Sequence, residues 1–125
     1  MKLRIRDNSI RLRLTQTEVD TVNMDGRVEA RVSFPGGGGL DYVVESTAVA
    51  AKPSANFFDN ALTISLPESD VRQWALTEQV SIAAEESLDE GGHLKILVEK
   101  DFACLAPRDD EDESDMFPHP LEGKD

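Results

Sequence analysis

At 125 residues, 39% hydrophobic and 30% charged, the chain has the composition of one globular domain able to bury about two-thirds of its unfolded surface. A formal net charge of −12 would repel a nucleic-acid backbone from most of its surface, which argues against general nucleic-acid binding. No run approaches the roughly 18 apolar residues of a membrane span, and the one cysteine, Cys104, excludes an internal disulfide framework, so the expectation is a cytoplasmic protein with no membrane partner.

The first element is "MKLRIRDNSIRLRLT". Asp and Asn tolerate the left-handed backbone of a tight turn, so Asp7-Asn8 predicts a two-residue hairpin. That register sets Ile5 opposite Ile10 and Leu3 opposite Leu12 on one face, with Arg4 opposite Arg11 and Lys2 opposite Arg13 on the other. Residues 1 to 13 carry Lys2, Arg4, Arg6, Arg11 and Arg13 against Asp7 alone. Like charges facing each other about 5 Å apart repel by roughly 3 kcal/mol at an effective dielectric near 20, so something anionic belongs over that face. A phosphate-bearing or polyanionic small molecule is one candidate, because Arg forks on a rigid sheet suit it. The chain's own carboxylates, or water and salt over an edge that blocks aggregation, are the others.

A helix follows, opened by Thr15 or Thr17, then a strand through Val28, Ala30 and Val32. The loop "PGGGG" at 35 to 39 lacks the Lys-Ser/Thr of a phosphate loop and is read as a connection between strands, with Tyr42 and Val44 on the returning one. The pattern then recurs 52 positions on. Asp59-Asn60 falls on Asp7-Asn8, and Leu62, Ile64 and Leu66 fall on Ile10, Leu12 and Leu14. Ser69 after Pro67 is the expected cap of a second helix that buries Val71 and Trp74. Val80, Ile82 and Ala84 form the next strand, "DEGG" at 89 to 92 the loop, and Leu94 and Ile96 the last strand, with His93 a solvated residue at its start.

The reading is an internal duplication, residues 3–46 and 55–98, within a single α+β domain spanning 1–106. Regrouped as two β-α-β-β-β units with the first strand closing on the last, it predicts an eight-stranded antiparallel barrel or strongly curved sheet with two short helices. An open sheet with both helices on one face is the alternative. Residues 107–125 form an acidic tail, extended or disordered, with six acids in the seven positions from Asp109 to Asp115. Phe117 in "FPHP" gives that tail an aromatic anchor for a protein partner. Electrostatics also bring the acidic run over Arg4, Arg11 and Arg13, where it would compete with an external anion.

"LRIRDNSIRLRLTQTEV" and "LKILVEKDFACLAPRDDED" resemble a family of small bacterial proteins grouped as a domain of unknown function, which implies no activity. Separately, the doubled β-α-β-β-β order looks like the CYTH or triphosphate tunnel superfamily. That resemblance implies a closed barrel in which Arg and Lys, here on "LRIR" and "IRLRL", bind a polyphosphate while acids hold a divalent metal. The superfamily's Glu-x-Glu-x-Lys is missing, and the nearest alternation is "RVEARV" with Glu29 and Arg31. A metal-dependent triphosphatase is therefore the third functional reading, behind anion binding on the hairpin and partner docking through the tail.

Glu29, Asp41, Glu45, Glu85 and Glu99 are acids on strands that could share an interior and hold magnesium, although their spacing is not diagnostic. Cys104 and His119 bracket the acidic run without the third ligand of a zinc site, so Cys104 is read as a small apolar residue. No catalytic arrangement, metal site or cofactor motif is legible. The residues singled out for ligand binding are Lys2, Arg4, Arg6, Arg11 and Arg13.

Overall fold

Two left-handed turns organise the chain. In a computed structural model, which describes residues 1–102 and 114–118, Asp7 has φ 48°, and Asp59 and Asn60 have φ 52° and 60°. These short polar residues reverse the chain in two positions, as hairpin twist requires. The first turn joins β1 (Lys2–Arg6) to β2 (Ser9–Leu14), with Arg4 facing Arg11 and Lys2 facing Arg13. The second joins β5 (Ser54–Phe58) to β6 (Ala61–Pro67).

Each hairpin leads into a helix. Helix α1 (Gln16–Asp25) starts with a reciprocal capping box between Thr15 and Glu18, whose carboxylate also receives the Met1 ammonium at 2.6 Å. It stops at Gly26, whose φ of 86° turns its N–H back to the Val22 carbonyl. Helix α2 (Glu68–Leu76) begins directly after Pro67 with no side-chain cap. Ser69 is thus not the cap expected of it: proline's fixed φ sets the entry, and Glu68 and Asp70 place negative charge on the first turn.

The remaining strands are β3 (Arg27–Ser33), β4 (Gly39–Thr47), β7 (Ser81–Ser87) and β8 (His93–Lys100). Val80 lies before β7, because the link after α2 is longer than the lone Gly26 after α1. The drift is two residues, so inward and outward positions keep their parity. "PGGGG" and "DEGG" are both hairpin loops with the same internal hydrogen bonds: Phe34 N–H to the Gly38 carbonyl and Gly37 N–H to that of Phe34, then Leu88 to Gly92 and Gly91 to Leu88.

The fold is α+β, but the expected barrel does not form. The strands make two separate four-stranded sheets, β1-β2-β8-β7 and β3-β4-β6-β5, and both are mixed: β2 runs parallel to β8, and β4 to β6. The first strand does not close on the last, since β8 already has β2 on one side and β7 on the other. Where β5 approaches β7, the Glu86 carboxylate accepts the Ala55 N–H, so a side chain occupies a donor that a closing ladder would need. At another edge the Tyr42 hydroxyl donates to the Met1 carbonyl at 3.2 Å.

One core serves both sheets. Ile10, Leu12 and Leu14 from β2 and Leu62, Ile64 and Leu66 from β6 meet Val19 and Val22 of α1, Val71 and Trp74 of α2, and Val44, Ile96 and Val98. Trp74 is wholly buried, and its indole N–H donates to the Val80 carbonyl at 2.9 Å, which satisfies its one polar atom. Among the described residues no helix is long and apolar enough to cross a membrane.

Candidate functional site

Alternation along β2 and β8 turns Ile10, Leu12, Ile96 and Val98 into the core and every second residue outward. The strand pairings then arrange the outward residues of the first sheet in three rows. From β1 across to β7 they read Arg6, Ser9, Lys95, Glu85; then Arg4, Arg11, Leu97, Ala83; then Lys2, Arg13, Glu99, Ser81. All five residues singled out in the sequence share this face, joined by Lys95. Six cations stand there against Glu85 and Glu99, on a chain of net charge −12.

The face divides by how its charges are matched. Glu99 sits between two arginines: its Oε1 accepts from Arg11 Nε at 2.6 Å and Arg13 Nε at 2.8 Å. Its side chain is 12% exposed, so this carboxylate is held in place and answers the repulsion of the third row. Lys2 Nζ lies 3.4 Å from the buried carboxylate of Asp101. Arg4, Arg6 and Lys95 make no ion pair with any described residue.

Beside these cations the surface is concave. A trough of about 510 Å³ runs over the first two rows, lined by Ser9, Arg11, Ala83, Glu85, Lys95 and Leu97, together with the residues between them. A smaller hollow of about 290 Å³ adjoins it at the hairpin turn, walled by Arg6, Asp7, Asn8, Ser9, His93 and Lys95. The two share Ser9 and Lys95. The turn is fixed to β8 by the Asn8 side-chain amide, which donates to the His93 carbonyl at 2.8 Å, and by the Lys95 N–H, which donates to the Asn8 carbonyl. The Ser9 hydroxyl donates to the Arg6 carbonyl at 2.7 Å.

The acids expected to share an interior do not. Glu29 pairs with Arg27 and Asp41 with Arg31 on the outer face of the second sheet, and Glu45 accepts from Ser65 there. Glu85 and Glu99 lie on the outer face of the first. Alternation sends them outward because Val28, Ala30, Tyr42, Val44 and Ile82 take the inward positions. Among the described residues no three His, Cys, Asp or Glu side chains gather closely enough to hold a metal ion. Cys104, His119 and most of the acidic run lie outside the described residues.

Of the stretch 107–125, residues 114–118 fold back against the domain. Asp115 Oδ1 accepts the Thr17 hydroxyl at 2.9 Å, and the Asp115 carbonyl accepts the Gln16 N–H, which places a carboxylate at the N-terminus of α1. Met116 is buried, and Phe117 packs on the core and against the ring of Phe102, with centroids 5.9 Å apart. Lys100, buried beneath, donates to the Thr77 carbonyl at 2.8 Å and lies 5.3 Å from the Phe117 ring centroid. Burial pulls its ammonium below the usual lysine range, and the charge of Glu78 partly restores it.

Lys95, Leu97 and Ala83 were missed from sequence. The alternation in "HLKILVEK" marks Lys95, Leu97 and Glu99 as one face, yet only the β2–β8 pairing sets that face beside the hairpin. The chain belongs to a family of unknown function, DUF7009, whose model matches residues 1–121. No curated protein and no solved structure matches it.

Proposed function

Starting from membership of that family, we propose that the protein is a cytosolic binding domain that takes a phosphate-bearing or otherwise polyanionic ligand on the outer face of its first sheet. The observation that carries this reading is the contrast within the face: Glu99 serves Arg11 and Arg13, while Arg4, Arg6 and Lys95 stand beside a trough with no carboxylate bound to them among the described residues. Arg4 and Arg6 would grip the anion, Lys95 would close on it from across β2, and Lys2, Arg11 and Arg13 would supply the surrounding field.

Docking of a partner through the acidic tail ranks second, because Phe117, the anchor it would use, is engaged with Phe102, Lys100 and the core. Metal-dependent hydrolysis of a triphosphate ranks third, because the acids of the two sheets point away from one another. We also read the two ββαββ halves as copies of one unit. Supporting this, raising each strand number by four, cyclically, turns one sheet order into the other, and the two Gly loops share their hydrogen bonds.

Tripolyphosphate tests the main reading. At a hundred times its dissociation constant a native-state ligand adds about 2.7 kcal/mol, a shift of several degrees in Tm for a chain of this length. The shift should shrink with added salt and vanish in Arg4→Glu/Arg6→Glu. A flat melting temperature at millimolar tripolyphosphate and low ionic strength would sink the proposal.

A further inference from the structure

The unmatched cations lie at one end of the trough, since Arg11, which lines it beside Leu97, is held by Glu99. Toward the hairpin turn, Arg6 on β1 and Lys95 on β8 flank Ser9 on β2, two strand spacings or roughly 10 Å apart. Both side chains are long enough to lean over the small residue between them and meet on one anion. The Asn8 amide and His93 form the rim of that notch. One row further on and toward β7, the floor is Leu97 beside Ala83, half-buried and exposed, with no charge of its own. Inorganic polyphosphate would leave this step unused. A ligand that spans both needs an anionic head and an apolar body lying flat on the sheet.

We infer that the trough takes an organic phosphate monoester with a flat apolar body, its phosphate over Ser9 between Arg6 and Lys95 and its body on Leu97 and Ala83. This inference rests on the anion-binding reading and narrows it. Glu85, directly across from Lys95, fixes the polarity: it repels a head placed at the β7 side and leaves the β1 side of Lys95 as the seat of the phosphate. The low floor comes from two small residues, Ser9 and Ala83, and a volume of about 510 Å³ lies within the usual range for small-molecule sites.

Calorimetric titration of the full chain at low salt with 1-naphthyl phosphate and with inorganic phosphate tests the inference. The naphthyl ester should bind at least about tenfold more tightly, since burying one ring face adds apolar contact that phosphate lacks. Ala83→Gln, which raises a polar side chain from the floor, should bring the ester down to the affinity of inorganic phosphate and leave inorganic phosphate unchanged. Leu97→Thr should do the same, and it serves as the second variant if Ala83→Gln unfolds. Glu85→Gln should tighten both ligands. Equal affinity for the two ligands in the unsubstituted protein would overturn the apolar step, while anion binding would survive through its tripolyphosphate response. Binding of neither at millimolar concentration, with no tripolyphosphate response, would overturn both.

Discussion

The two Asp-Asn hairpins have the same pairing and opposite surfaces. In β1-β2 the outward positions are Lys2, Arg4, Arg6, Ser9, Arg11 and Arg13; in β5-β6 they are Ser54, Asn56, Phe58, Ala61, Thr63 and Ser65. Inward, both supply three apolar residues to one core: Ile10, Leu12 and Leu14 from β2, and Leu62, Ile64 and Leu66 from β6. Each inner strand runs parallel to a neighbour that offers a glutamate. Glu99 meets Arg13 and Arg11 of its own hairpin, whereas Glu45 meets the Ser65 hydroxyl at 2.8 Å and lies 3.6 Å from Arg27, which β3 and not the hairpin supplies. The second hairpin therefore shows that this architecture closes without arginine. The cations of the first hairpin are thus not required by its backbone pairing, which is what the proposed anion site presupposes.

The largest test of that comparison is in the core. Leu12→Ala and Ile64→Ala each empty a fully buried site in the shared cluster and should cost about 2–5 kcal/mol in urea denaturation. Both variants should keep a single transition. Two transitions in either would mean that the hairpins belong to separately folding units, and the second could not serve as a control for the first.

Substituting the two glutamates has a smaller effect and tells the surfaces apart. Glu99→Gln removes the charge that holds Arg11 and Arg13, each about a third exposed, and should cost about 1 kcal/mol, less at high salt. Glu45→Gln can keep a hydrogen bond to Ser65 and gives up only a 3.6 Å pairing with the half-exposed Arg27, so it should cost about 0.5 kcal/mol or less. Equal losses at low salt would mean that the arginine cluster is not under electrostatic strain.

The smallest effect is expected where a residue of the second hairpin is transplanted. Arg4→Asn copies Asn56 and removes one of a facing pair of like charges while leaving Arg11 on Glu99. Stability should change by no more than about 0.5 kcal/mol. A loss well beyond that would show that Arg4 helps hold the sheet together, and the case for a ligand would weaken accordingly.

The hairpins, helices and Gly loops were legible because each depends on neighbours in sequence: Asp-Asn for the turn, Thr15 with Glu18 for the cap, alternation for the faces. The partners of the hairpins were not. Nothing local says that Ser9–Leu14 lies parallel to Lys95–Lys100 and not at the edge of a barrel, and that one pairing decides whether the arginines line a lumen or an outer face. Glu99 could be picked out as an acid on a strand, but its place between Arg11 and Arg13 follows only from the register. Lys95 lacked any local signal that tied it to the site. Pro67 displaced Ser69 as the start of α2 because a fixed backbone angle competes with a side-chain cap, a contest that sequence alone does not decide.

The parallel pairing of β2 with β8 also governs the order in which the molecule can assemble. All strands of the second sheet lie between residues 27 and 67, so that sheet has its full complement of strands once the first half of the chain and a little more has been synthesised. The first sheet must wait for residue 100, with its earliest hairpin made and its inner edge open. Distant pairings of this kind are slow to close and leave an edge exposed to other chains meanwhile. Like charge on Arg4, Arg6, Arg11 and Arg13 disfavours the pairing of one such open hairpin with another in that interval, and Glu99 on arrival offsets the share carried by Arg11 and Arg13.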